Sequence, residues 1–128
     1  MKRLLIFFVF IIVSHLSFGQ DDKKPDCSSL KQGTFKYFDI EDTTAYFEIN
    51  KSSHIEYHQN GKYTITSKLK WLSGCQYSMI MISNTIPDFP FKPGNVMVVT
   101  IKKIDDNVIY YTSEVNNQTW DGRLLKVK

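Results

Sequence analysis

The sequence predicts an all-β protein: a small antiparallel up-and-down meander of about eight strands that closes into a barrel. Three observations carry this. From Gly33 onward Tyr, Phe, Ile, Val and Thr dominate the chain. Asn, Asp, Gly and Pro cut that run at short intervals, the pattern of short strands joined by tight turns. No stretch sustains the 3.6-residue apolar period that an amphipathic helix requires.

The strands are expected near 33–39, 44–50, 53–58, 62–71, 75–83, 96–104, 108–115 and 119–127. Successive hairpins with one apolar face make a meander, and closure removes its exposed edges. A barrel of lipocalin-like general form is therefore the first expectation, and a two-layer β-sandwich the alternative. No internal repeat or low-complexity tract interrupts the pattern.

Residues 1–19 stand apart. Lys2 and Arg3 precede an unbroken apolar run over 4–13, and Ser17-Phe18-Gly19 places small residues at a cleavage site. That is the layout of a secretory signal peptide, and the run falls short of the roughly 20 residues a bilayer crossing needs. Residues 20–32 then read as a polar lead containing Cys27, and 33–128 as the barrel domain. The exported part is expected to be secreted or periplasmic, with no integral membrane association. The whole chain holds 16 basic and 13 acidic side chains. Setting Lys2 and Arg3 aside leaves the exported part near neutrality, without the basic stripe of a nucleic-acid binder.

Cys27 and Cys75 are the only cysteines, and an even count in an exported chain is read as a disulfide. Structural zinc needs about four ligands with paired spacing, which these two do not supply with His54 and His58. The bridge is expected to fasten the lead across one end of the barrel, beside Trp71.

Register decides which side chains are dry, because a slip of one residue turns every side chain to the other face. In "HIEYHQNGKYTITSKLKWL" a two-residue Asn60-Gly61 turn sets Tyr57 opposite Thr64 and His58 opposite Tyr63, which mixes polar and apolar faces. A three-residue loop, Gln59-Asn60-Gly61, pairs Tyr57 with Tyr63 and Ile55 with Ile65 and sorts them. It also gives Gly61 the left-handed position that glycine fills best, so this register is expected. Leu72-Ser73-Gly74 similarly pairs Trp71 with Cys75, Leu69 with Tyr77 and Ile65 with Met81. Asp105-Asp106-Asn107 aligns Val99 with Ser113 and Ile101 with Tyr111. A two-residue Asn116-Asn117 turn sets Ser113, Tyr111 and Ile109 beside Trp120, Gly122 and Leu124. The first hairpin, around Glu41-Asp42-Thr43, stays open.

His54, Glu56 and His58 alternate along one strand, and alternating imidazoles with a carboxylate can bind zinc. The expected register turns this face to solvent, where metal-orienting partners are lacking; a two-residue turn would point it inward. The long connection "SNTIPDFPFKPGN" is stiffened by Pro87, Pro90 and Pro93 and carries Phe89 and Phe91. The two rings are expected to plug one barrel end, with a lid or an adhesive loop as the functional alternatives. Phe89, Phe91, Trp71, Tyr77 and Trp120 are the candidates for touching a ligand or partner.

Over "DCSSLKQGTFKY" and "EYHQNGKY…KWLSGCQYSM" the chain resembles a group of short exported bacterial proteins with no established activity. They share a Cys shortly before G-T-F and a Trp-x-x-x-Cys-x-Tyr pattern, and the resemblance spans nearly all of the exported part. Some carry a DNA topoisomerase IV label. Such an enzyme needs several large domains, a nucleotide site and basic DNA-facing surfaces, and none of these fits in this chain. The resemblance implies compartment and fold rather than chemistry.

No G-x-S-x-G, phosphate-cradling glycine loop or H-E-x-x-H occurs in the sequence. The expectation is a non-enzymatic module without a cofactor, binding a small apolar ligand or an envelope protein partner. A structural role without ligand is the alternative, and a metal-dependent enzyme at His54, Glu56 and His58 the remote one. Bulky inward Tyr, Trp and Met suggest a filled interior.

Overall fold

A computed structural model describes residues 25–128; the expected signal peptide lies outside the described residues. Eight strands form one closed antiparallel barrel in sequence order: β1 (Gln32–Tyr37), β2 (Tyr46–Asn50), β3 (Ser53–His58), β4 (Tyr63–Ser73), β5 (Gln76–Asn84), β6 (Val96–Asp105), β7 (Val108–Val115) and β8 (Gln118–Lys126). Closure runs through β1 and β8, where Phe35, Lys36 and Tyr37 face Lys126, Leu125 and Leu124. The barrel, not the sandwich, is the fold.

Two hairpins form as their turns dictate. Asn116 and Asn117 take φ of 52° and 64°, the left-handed pair of a two-residue hairpin turn, and Ser113 faces Trp120. In the β6–β7 hairpin Val99 faces Ser113 and Ile101 faces Tyr111, as expected. A bulge between Ile101 and Lys103 shortens its turn to Asp106-Asn107.

The other two registers differ from expectation. At the β3–β4 hairpin Glu56 faces Ile65, Tyr57 faces Thr64 and His58 faces Tyr63. The slip is one residue, so His54, Glu56 and His58 point inward while Ile55 and Tyr57 point outward. Tertiary contacts outside the hairpin favour this register. Gln59 and Asn60 both adopt left-handed φ. Their amides donate to Asp42 Oδ2 (2.7 Å) and Thr44 Oγ1 (3.0 Å) of the β1–β2 loop. The outward Tyr57 stacks on Tyr46 at 4.8 Å, which shields its ring without burying it. Sorting apolar from polar residues fails here because the interior itself carries polar groups.

At the β4–β5 hairpin Trp71 faces Tyr77 and Leu69 faces Met79, two residues away from the expected pairs, and a further irregularity between Thr66 and Ser67 sets Ile65 opposite Asn84 rather than Met81. An even shift preserves the faces. Its cause is local: Ser73 faces Gln76, so Gly74-Cys75 form the turn and Cys75 leaves the ladder for its disulfide.

That disulfide closes one end of the barrel. Cys27 and Cys75 are bonded (Cα–Cα 5.3 Å), and the 3-10 turn η1 (Ser28–Leu30) follows directly. Leu30 is buried with Cys27 and packs into a cluster with Phe35, Ile49, Leu69, Ile101 and Ile109. The interior is therefore filled at this end only. The loops after β1, β3, β5 and β7 surround the opposite end.

Gly122 on β8 is a packing necessity. The Tyr111 ring lies where a Cβ would stand, with Cζ 2.5 Å from that position. Overpacking costs about 1–3 kcal/mol, so Gly122→Ala is expected to destabilise by that amount in urea denaturation. In a Tyr111→Ala background, which itself loses stability, Gly122→Ala should cost less than in the parent, a coupling that a double-mutant cycle reads directly.

Candidate functional site

The inward residues of the open half line a cavity of about 490 Å³, within the range of roughly 300–1,000 Å³ typical of small-molecule sites. Its apolar wall includes Phe47, Ile65, Val99 and Leu124 together with Met79, Met81 and Met97. Methionine side chains are flexible and polarizable and adapt to a guest's shape. At the rim Phe91 lies parallel to Trp120 (6.1 Å between centroids), and Phe89 meets Phe91 edge-on (5.8 Å). All three border the cavity, placing the loop's two rings at its mouth, as the sequence suggested for a plug or lid.

Polar groups project into this apolar chamber from β3. His54 Nδ1 has no hydrogen-bond partner, and the ring, 2% exposed, stacks on Phe47 at 4.4 Å. Burial pushes its pKa down to about 4, against the pull of the Glu56 charge, so the imidazole is neutral at physiological pH. His58 Nε2 bonds Glu56 Oε1 at 2.9 Å, and its Nδ1 lies 3.9 Å from Asp42 Oδ2. The hydrogen bond to Glu56 raises the His58 pKa, burial opposes it, and the Glu56 and Asp42 charges add to the rise. Burial raises Tyr37, Tyr77 and Tyr111 as well, with the Glu56 charge contributing to each. Glu56 is thus the interior charge that its neighbours feel.

The β1–β2 loop builds part of the mouth. Asp42 accepts from the Thr44 amide and hydroxyl (3.0 and 2.5 Å) while also receiving the Gln59 amide. These bonds, the Thr44 hydroxyl first, hold its carboxyl below the usual carboxylate range.

Of the sequence candidates, Tyr77, Phe89, Phe91 and Trp120 line the cavity with His54, Glu56 and His58. Trp71 does not: it packs edge-on against Tyr77 at 5.0 Å, with Lys31 over its ring. The outward orientation expected for His54, Glu56 and His58 is corrected. Inward orientation does not make them a metal centre, for among the described residues no three His, Cys, Asp or Glu side chains are grouped to hold one ion. Asp42, in the first hairpin whose register the sequence left open, proves to be a mouth residue; its Asp-x-Thr spacing signals the Asx turn but not the strand it pins.

No protein-family model, curated protein or solved structure matches the chain.

Proposed function

We propose that this protein is a non-enzymatic binding module, exported to an oxidising compartment, that holds one small, largely apolar molecule inside its barrel. The observation carrying this reading is the asymmetry of the interior. One end is packed solid behind the Cys27–Cys75 bridge and Leu30, while the other encloses a chamber of about 490 Å³ beneath aromatic rings. Apolar walls with a few convergent polar groups are the usual make-up of a ligand pocket. Eight strands give an interior wide enough for one small guest. The Cys27–Cys75 bridge fits the exported compartment that the leader suggests.

N-phenyl-1-naphthylamine, a neutral fluorophore of suitable size, tests the reading. Its emission is expected to rise on binding, and Ser113→Phe, which fills the chamber from a 2% exposed wall position, should weaken binding by about tenfold or more. Undiminished binding to a folded Ser113→Phe variant would place the dye elsewhere and remove the support.

One observation favours a second reading, an accessory protein that docks on an envelope partner. Ile80, Ile82 and Val96 are exposed, with Ile80 and Val96 paired on β5 and β6. Native mass spectrometry of protein purified from its own envelope separates the two readings, since a retained small molecule supports the first and a co-purifying protein the second.

A further inference from the structure

We propose that the guests this chamber prefers are organic amines, the ammonium held toward Glu56 and Asp42 and the apolar or aromatic body seated on the methionines and the Phe91–Trp120 pair. The inference deepens the binding-module reading and rests on it.

Charge is its first support. The lining includes Asp39, Asp42, Glu56 and Asp121 but, among the described residues, neither lysine nor arginine. Asp39 is neutralised by Arg123, whose Nη2 lies 2.8 Å from its Oδ1. Asp121 pairs with Thr112 on the outward face and accepts its hydroxyl at 2.6 Å, so Asp42 and Glu56 are the carboxylates that face the chamber. Among the described residues, His58 is the one cationic partner available to both Glu56 and Asp42. Even with His58 protonated, the chamber keeps a net negative charge. Lys62 and Lys92 stand on rim loops but do not line it. A guest carboxylate would meet like charge in a partly desolvated space, where Coulomb interactions are stronger than in water. An ammonium meets the opposite sign.

The second support is independent of the acids. His54 borders the chamber, is 2% exposed, and its Nδ1 lacks a partner. Nδ1 is itself shut off from solvent, so a guest meets the rest of a neutral ring, and this wall sets no positive charge against an ammonium. The parallel faces of Phe91 and Trp120 add the surface on which cations and flat rings are held.

Three probes alike in body and different in charge test this by isothermal titration calorimetry at pH 7.5 and low ionic strength: 4-phenylbutylamine, 4-phenylbutanol and 4-phenylbutyrate. The amine is expected to bind at least about tenfold tighter than the carboxylate, with the alcohol between them and added salt narrowing the gap. Glu56→Gln should narrow the amine–carboxylate gap without weakening the alcohol. If that variant does not fold, Asp42→Asn at the mouth should produce a smaller narrowing. A carboxylate that binds as well as the amine, or a gap unchanged in the folded variant, overturns the amine preference while leaving the binding-module reading intact. Failure of all three probes to bind overturns both.

Discussion

Replacing Cys27 and Cys75 together by serine is expected to lower the free energy of unfolding by about 4 kcal/mol, the value the chain-entropy account gives for a loop of this length. The bridge joins residues 48 apart in sequence, and its main effect is to restrict the unfolded chain. Against net stabilities of about 5–15 kcal/mol for natural domains, that is a large share. Urea denaturation of both forms reads the difference. The variant's circular dichroism without denaturant should match the parent's, because the barrel ladders do not depend on the sulfur atoms. A backbone bond continues to hold the β4–β5 turn to β6, Ile101 N donating to Cys75 O (2.8 Å), while the 3-10 turn keeps its own bond from Leu30 N to Cys27 O (3.0 Å). A loss below about 1 kcal/mol would mean that packing of Leu30, rather than the cross-link, keeps the N-terminal segment in place.

How much of this was legible in the sequence follows from what each inference required. Strand positions and the Asn116-Asn117 hairpin depend on local chemistry, on β-branched and aromatic runs and on residues that tolerate left-handed backbone. These matched the structure closely, as did the partnership of the two cysteines. The β4–β5 register moved by two residues because Cys75 was assigned to the strand, whereas the bridge draws it into the turn. The faces survived. The β3–β4 register could not be read locally. Its turn is set by Asp42 and Thr44, 17 and 16 residues away from the amides they receive. Apolar patterning also assumes a uniformly greasy interior. A barrel whose open half holds a carboxylate and two imidazoles breaks that assumption at the place where a guest would bind, and local pattern and global fold commonly disagree at such sites. Ile65 and Leu69 did mark the dry face of β4 correctly. The error lay in supposing that their cross-strand neighbours must be apolar too.

His54 should make the protein acid-labile. Its folded-state pKa is about 4 against an ordinary value of 6.5, with burial as the leading cause. The unfolded chain therefore binds a proton between these values that the folded chain refuses, so stability falls as pH falls through this window. At 1.36 kcal/mol per unit, the loss attributable to His54 approaches about 3 kcal/mol by pH 4. His58 works in the opposite direction. Its pKa is raised, first by the hydrogen bond to Glu56, so its contribution is fully present at low pH and is lost as pH rises through the folded value. The lowered carboxyls of Asp26 and Asp42 lose their contribution only below their ordinary value of 3.8, outside this range. The difference between parent and His54→Phe stability curves from pH 7 to 4.5 thus isolates the buried imidazole. Phenylalanine keeps the stack on Phe47 and removes the unpartnered Nδ1. The variant is expected to show the shallower fall on acidification, with the gap between the curves closing in its favour as the pH drops. Parallel curves would mean that His54 accepts its proton without cost in the folded state, and that the chamber around it is wetter than its 2% exposure implies.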